Sequence, residues 1–448
     1  MQTLVIPQPR SFKISDRPLP PEGYRLRIDN EGHAAVEAND AAGRFYAEVT
    51  LSQLNGCKGP LEIEDWPSYK WRGVLLDEGR HFFGKAAVKS ILDKMARFKL
   101  NVFHWHLTED QGWRLDLPGI PELARIGSVR PSSWKVHTEN VSDGVQYGPF
   151  FYSPDDVREI LAYAAERHIR VIPEIEIPGH IQALLAAHPE FTCESLADKP
   201  STPLTVTGVN ECVLCVGNDE AIAYLEKVFD AVMALFPDEV IHLGGDECPR
   251  HYWKTCPKCQ ARVREEHLGD ENDLQAWVTR HFADYLKAHG RRAIGWDEIL
   301  EGGLAEGVLV QSWRTPANYG ADGESPTLRA ARAGHEVVAS PWCRTYFSAP
   351  ASREDKATYR LPVDKYPEKA IISLRDAYAF DPCEGLPEEL KRFVVGSESC
   401  NWTEGTRDVA TLEAKMWPRT AAFAEAMWTG EERGDFDDFT RRLEAAVR

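Results

Sequence analysis

The sequence predicts an α/β protein: a (β/α)₈ TIM barrel over residues 67–448, preceded by a small α/β N-terminal domain over residues 1–66. Three observations carry this. From Trp71 onward, short apolar strand candidates alternate with longer helical stretches, the pattern of βαβ units and a parallel sheet. The candidates number eight, which closes a barrel. Polar, titratable or tryptophan residues follow almost every one, as expected where strand-end loops converge on one mouth.

Taken in chain order, LVIP and YRLRIDN read as short strands, and AAGRFYAEVTLSQL as a helix on which Phe45, Val49 and Leu54 share a face. Pro60, Pro67 and the acidic stretch between them mark the junction. The barrel strands follow as WRGVLLD, LNVFHWHL, RVIPEIEI, VIHLGGD, RAIGWDE, VLVQSW, EVVAS and FVVGSES. Between them GKAAVKSILDKMARF, SPDDVREILAYAAERH, NDEAIAYLEKVFDAVMALF and NDLQAWVTRHFADYLKAHG read as helices, the second capped by Ser153 before Pro154.

A barrel commonly uses about 250 residues, so 448 accommodate one together with a smaller domain. Thirteen tryptophans are many, and their flat apolar faces suit sugar rings as well as cores. A formal charge of -18 and the lack of a Lys/Arg-rich run argue against nucleic acid or an anionic membrane as partner. With no apolar run of about 18 residues and no export signal in MQTLVIPQPRSF, the chain as written is expected in the cytoplasm. A periplasmic or secreted mature form is the alternative. Ten cysteines are neither the density of a disulfide scaffold nor an obvious metal set. Cys256 and Cys259 in TCPKC, with Cys248 nearby, suggest zinc but lack a fourth ligand at usual spacing. Buried or loop-stapling thiols, and no metal, are therefore expected.

Arg80 and His81, Glu109 and Asp110, Glu176 and His180, Asp246 and Glu247, Trp296 and Asp297, Trp313, Tyr346, Trp402 and Glu404 all follow strand cores and would meet at one rim. That convergence means an enzyme or a tight small-ligand binder. Glu247 follows Asp246 after two glycines that ease a turn at a strand end. To donate a proton, a Glu must hold it above its ordinary pKa of about 4.3; a neighbouring carboxylate and partial burial supply that lift. His104 and His106 share one strand face, as in the opening of metal-dependent amidohydrolase barrels. That reading requires histidines at later strand ends, where Trp and Glu stand instead. Interior histidines bonded to acids such as Glu109 or Glu176 are preferred.

The stretches LLDEGRHFFG, NVFHWHLTEDQGWR, VIPEIEIPGH, IHLGGDE, GWDE, VQSW and NWTE, in this order, resemble the family 20 glycoside hydrolases, the β-N-acetylhexosaminidases. Asp65-Trp66-Pro67 and Trp71-Arg72-Gly73 resemble that family's entry into its barrel. The N-terminal piece resembles only the final part of the family's accessory domain, which implies an abbreviated version. The resemblance implies an exo-acting, retaining enzyme that removes terminal N-acetylglucosamine or N-acetylgalactosamine from an oligosaccharide or glycoconjugate, without metal or organic cofactor. Family 20 departs from the two-carboxylate retaining scheme because the substrate's own acetamide attacks, giving an oxazolinium intermediate.

By the same resemblance Glu247 is the acid/base and Asp246 orients the acetamide. Arg80 grips the C3 and C4 hydroxyls, for which paired guanidinium donors are suited, and Glu404 accepts from the C4 hydroxyl. Trp296, Trp313 and Trp402 wall the pocket, and Tyr346 donates to the acetamide oxygen. His180 contacts the active-site carboxylates, and either Glu109 or Asp110 faces the ligand. One departure stands out: Tyr346-Phe347-Ser348 replaces the family's Tyr, any residue, Asp. Ser348, with Arg344 near it, would suit a relative acting on a C6-substituted, for example 6-sulfated, N-acetylglucosaminide. A non-catalytic sugar-binding barrel is a further alternative, expected only where the acid pair is lost.

Overall fold

The computed structural model describes residues 5–54, 59–135, 141–315, 324–352, 354–355 and 371–447. Three antiparallel strands, β1 (Tyr24–Ile28), β2 (Ala34–Ala38) and β3 (Leu61–Asp65), form the N-terminal sheet in the order β2-β1-β3. The helix Ala41–Gln53 packs on it, its N-terminus capped by Asp40, which accepts from the Gly43 amide. That helix buries Gly43, Tyr46, Ala47 and Thr50 rather than the expected face, while Phe45 and Leu54 pack at the rim. The bed of Tyr24, Leu26, Ile28 and Ile63, joined by Trp428 from the barrel side, decides which face is covered. LVIP is not a strand: Val5 and Ile6 are buried in irregular chain, and Leu4 lies outside the described residues.

Buried polar groups tie this sheet to the barrel. Lys99 Nζ lies 2.9 Å from Asp65 Oδ2 with both side chains fully buried. Tyr24 and Trp428 also donate to Asp65, at 2.7 and 2.9 Å. A buried charge is tolerable when its partner and remaining lone pairs are satisfied, as here.

The barrel closes as predicted. After β4 (Trp71–Asp77) and β5 (Val102–His106) comes a small hairpin of β6 (Thr108–Glu109) and β7 (Gly112–Trp113). The remaining strands are β8 (Arg170–Glu174), β9 (Val240–His242), β10 (Arg292–Trp296), β11 (Leu309–Ser312), β12 (Val337–Ala339) and β13 (Val394–Asn401). Without the hairpin, the eight strands pair in parallel in chain order, and β13 returns to β4. Seven of the predicted barrel strands contain one of them, and the eighth, FVVGSES, overlaps β13, which runs two residues further to Asn401. The helices Lys85–Arg97, Pro154–Ala165, Asp219–Leu235 and Asp273–Ala288 fall where periodicity puts them. Ser153 forms a capping box with Asp156. Among the described residues, no helix is long and apolar enough to cross a membrane.

One residue per strand fills the barrel floor: Trp71, Val102, Ile172, Val240, Ile294, Leu309, Val338 and Val395. Above it lies a charged layer. His104 sits between Glu174 and Glu398, 2.9 Å from each. Burial alone would lower its pKa, but the two carboxylates outweigh burial and push it up to about 9. Gly73 makes room for Glu398, since a Cβ there would lie 2.4 Å from its Cγ. His106 faces Asp77 and Glu176, each at 3.1 Å, with Glu109 at 3.6 Å. His104 and His106 thus place both ring nitrogens against carboxylates.

Candidate active site

The chain leaves β9 through Gly244 and Gly245, at φ of 66° and 98°, and then Glu247 at 46°. Only glycine fits at 244, because a Cβ would lie 1.6 Å from Glu176 Oε2. Asp246 and Glu247 are thereby turned into the barrel mouth, their side chains 15% and 36% exposed. His180, on the segment after β8, is also left-handed at φ 50°. A non-glycine residue held there marks a position fixed by its surroundings.

His180 joins the acids. Its Nδ1 contacts Glu109 at 2.9 Å and Asp110 at 3.3 Å, and its Nε2 lies 3.6 Å from Asp246 and 3.5 Å from Glu247. Burial opposes its charge, but Glu109 and Asp246 outweigh burial and raise its pKa well above the ordinary range. Burial lifts Asp246 to about 7, with Glu247, Glu174 and Glu109 adding to the lift against His180. For Glu247, burial is outweighed by the hydrogen bond and charge of His180 and by Arg80, and its pKa falls below the usual value. Asp246 is thus shifted up and Glu247 down, against the expectation that Asp246 lifts Glu247. His180 stands beside both acids, as the resemblance implied. Such a coupled pair titrates as a unit.

Arg80 lies at the far side of the mouth. Its Nη2 is 3.0 Å from Glu109, and its Nη1 is 3.3 Å from Asp77 and 4.0 Å from Glu404. Its guanidinium sits 5.2 Å from the Trp402 ring centre. Glu109 and Asp110 are both fully buried. Glu109 bridges Arg80 and His180, whereas Asp110 accepts from the Gln182 amide and the Asn210 side chain behind His180. Glu109 thus holds Arg80 and His180 in place, and Asp110 backs His180.

Trp296, Trp313, Tyr346 and Trp402 form one aromatic cluster over Leu75 and Cys400. Trp296 and Tyr346 lie 5.7 and 5.8 Å from Trp402, and Tyr346 stacks with Trp313 at 6.4 Å. Two acids that sequence reading passed over hold this wall: Glu174 accepts from the Trp296 indole at 2.7 Å, and Glu298 from Trp313 at 3.0 Å. Asp77 was missed as well; it accepts from the backbone and side chain of Thr403, each at 3.0 Å, besides facing Arg80 and His106. All three sit inside motifs already noted, so acids at strand ends were the available signal. Asp246 Oδ1 and Trp402 Nε1 are buried without a hydrogen-bond partner among the described residues. Beside Glu247 opens a cleft of about 390 Å³ lined by Val209, Arg250, Gln275, Glu298, Trp313 and Arg314, among others. Ser348 is half-buried two residues from Tyr346, and Arg344 faces Glu384 at 3.6 Å.

Two adjacent carboxylates joined through His180, an arginine bracketed by acids and an aromatic wall define the class of protein: a (β/α)₈ barrel that gathers titratable and aromatic groups at one mouth. Residues 69–431 match the family model for "Glycosyl hydrolase family 20, catalytic domain", and residues 3–66 match "Glycosyl hydrolase family 20, domain 2". The chain belongs to glycosyl hydrolase family 20. It is 39% identical over 443 residues to a β-hexosaminidase of Porphyromonas gingivalis, covering 96% of this chain and 53% of that one. It is 33% identical to a β-N-acetylhexosaminidase of Cellulomonas fimi, covering 96% and 78%. It spans 64% of a further relative, a β-hexosaminidase of Vibrio furnissii. A crystal structure of a β-N-acetylhexosaminidase superimposes with a TM-score of 0.87 at 29% identity, over 99% of this chain and 94% of that one. An exo-β-N-acetylglucosaminidase from Vibrio harveyi in complex with N-acetylglucosamine gives 0.84 at 25% identity, over 100% and 77%.

Proposed function

We propose that this chain is an exo-acting, retaining β-N-acetylhexosaminidase that cleaves terminal N-acetylglucosamine or N-acetylgalactosamine from oligosaccharides or glycoconjugates. The observation that carries the proposal is the Asp246–Glu247 pair, linked through His180, with Glu247 lining one cleft together with Trp313. An acetamide laid on the tryptophan wall brings its N–H to the unpartnered Asp246 Oδ1. The N–H favours the Asp246 anion, so the pair's proton rests on Glu247. An aglycone over Glu247 excludes water and further favours the neutral acid.

Glu247 then donates to the glycosidic oxygen while the acetamide oxygen bonds to the anomeric carbon, breaking the carbon–oxygen bond to the aglycone. The positive charge on the resulting oxazolinium is delocalised over its ring O–C–N and faces the Asp246 anion. Glu247, now a base, takes a proton from water as that water attacks the same carbon from the aglycone side, so configuration is retained and the acetamide is released. In this reading Arg80 and Glu404 bind the sugar's outer hydroxyls and close the pocket beyond them, which confines cleavage to chain ends.

The test compares aryl N-acetyl-β-glucosaminide and galactosaminide with the plain β-glucoside. Turnover of the acetamido substrates with a nearly inert glucoside is expected; rapid glucoside cleavage would overturn the proposal.

A further inference from the structure

Away from the pocket floor, Cys193, Cys215, Cys256 and Cys259 converge. We propose that these four buried cysteines bind a structural zinc ion. All four sulfurs lie within 4.8 Å of one another. Cys193 and Cys259 are 3.7 Å apart, Cys215 and Cys256 3.6 Å, and Cys215 and Cys259 3.7 Å. A tetrahedral zinc with Zn–S of about 2.3 Å requires sulfur–sulfur edges of about 3.8 Å. A disulfide would bring a pair to about 2.05 Å. An iron–sulfur cluster carries its thiolates on the outside of an inorganic core and spreads them wider than a single ion does.

The surroundings suit thiolates. Cys256 precedes the nine-residue helix Pro257–Glu265 as its N-cap, and Cys259 lies in the first turn, where free amides and the helix dipole favour negative charge. Gly217 lets the segments approach, since a Cβ there would lie 2.2 Å from the Lys258 backbone. Cys248, grouped with TCPKC on sequence, is not a member; the other two ligands come from Cys193 and Cys215, 41 residues or more upstream in sequence, where local spacing cannot reveal them.

The position gives the ion a purpose. Cys193 and Cys215 lie on the segment after β8 that carries His180; Cys256 and Cys259 lie on the segment after β9 that carries Asp246 and Glu247. Leu214, next to Cys215, donates its amide to Pro178 at 3.0 Å and accepts from the Trp253 indole at 2.8 Å. One ion would staple the two segments whose register sets the His180 contacts to the acid pair.

The full chain, purified without chelator or metal-charged resin, is analysed for zinc and iron by mass spectrometry, and its mass is taken under denaturing, non-reducing conditions. About one zinc per chain and a fully reduced mass are expected. Cobalt(II) exchanged into the same protein should give the visible bands and sulfur charge transfer of a tetrahedral thiolate site. The double variant Cys256→Ser, Cys259→Ser should lose the zinc and those bands. Unaltered protein that contains no zinc, carries iron instead, or has a mass lower by the hydrogens of two disulfides would overturn the proposal, whether or not the variant folds.

Discussion

Replacing His180 with glutamine tests how the acid pair is held. His180 Nε2 stands 3.6 Å from Asp246 and 3.5 Å from Glu247, and Glu109 and Asp246 favour the charged ring. A cation there favours the carboxylate anions, so with His180 in place the pair loses its last proton near 7, the value to which burial lifts Asp246. Unit charges at that separation interact by about 4–5 kcal/mol at an effective dielectric of 20, or roughly three pKa units. Water at the open mouth and the glutamine dipole reduce this, leaving an expected upward shift of about one to two units. The assay is kcat/KM against pH with an aryl N-acetyl-β-glucosaminide, because that ratio reports the free enzyme. The singly protonated pair is the productive form. The rate should therefore fall through about 7 in the wild type and about 8 to 9 in the variant. An alkaline limb that stays in place or moves down would refute the assignment of the charge to His180, whatever the loss in absolute rate.

Glu247→Gln should lower kcat by about 10²–10⁴ on alkyl glycosides, but far less on activated aryl glycosides, whose leaving groups need little protonation; equal losses on both would show that Glu247 is not the acid. Lys99→Met leaves Asp65 without its buried cation and should cost about 3–5 kcal/mol, read as a lower urea midpoint. An unchanged midpoint would mean that the N-terminal sheet is not held through that pair. Gly244→Ala forces a Cβ against Glu176 at a left-handed turn and should cost about 3 kcal/mol while displacing Asp246, so urea stability and kcat fall together; unaffected activity would mean the turn does not set the acid's position.

The barrel was legible because its signals are local. Each strand is a short apolar run such as WRGVLLD, each helix carries its own period, one with the Ser153 cap, and strand-end polar residues reveal the mouth. The N-terminal sheet was half legible. The exposed AAVEA strand pairs with β1 without burying a full face, so alternation gives little signal. The Tyr46 face of its helix is chosen by Trp428, almost four hundred residues away. At the mouth, the sequence pointed to residues that the fold brings together, but not to most of the contacts between them. That Glu109 bridges Arg80 and His180, or that His180 favours the anions of both Asp246 and Glu247, depends on contacts between separate strand ends. The cysteine cluster escaped for the same reason, its ligands coming from segments that meet only in the folded chain.

The central claim is that Asp246 holds the substrate's amide as it closes into a ring. Inhibition by a thiazoline mimic of the cyclised sugar, measured on the wild type and on Asp246→Asn, tests this most directly. The account predicts tight competitive inhibition of the wild type and binding weaker by about a hundredfold or more in the variant, the loss of a charge-assisted contact to a buried anion. Equal inhibition of both proteins, or none of the wild type, would contradict it.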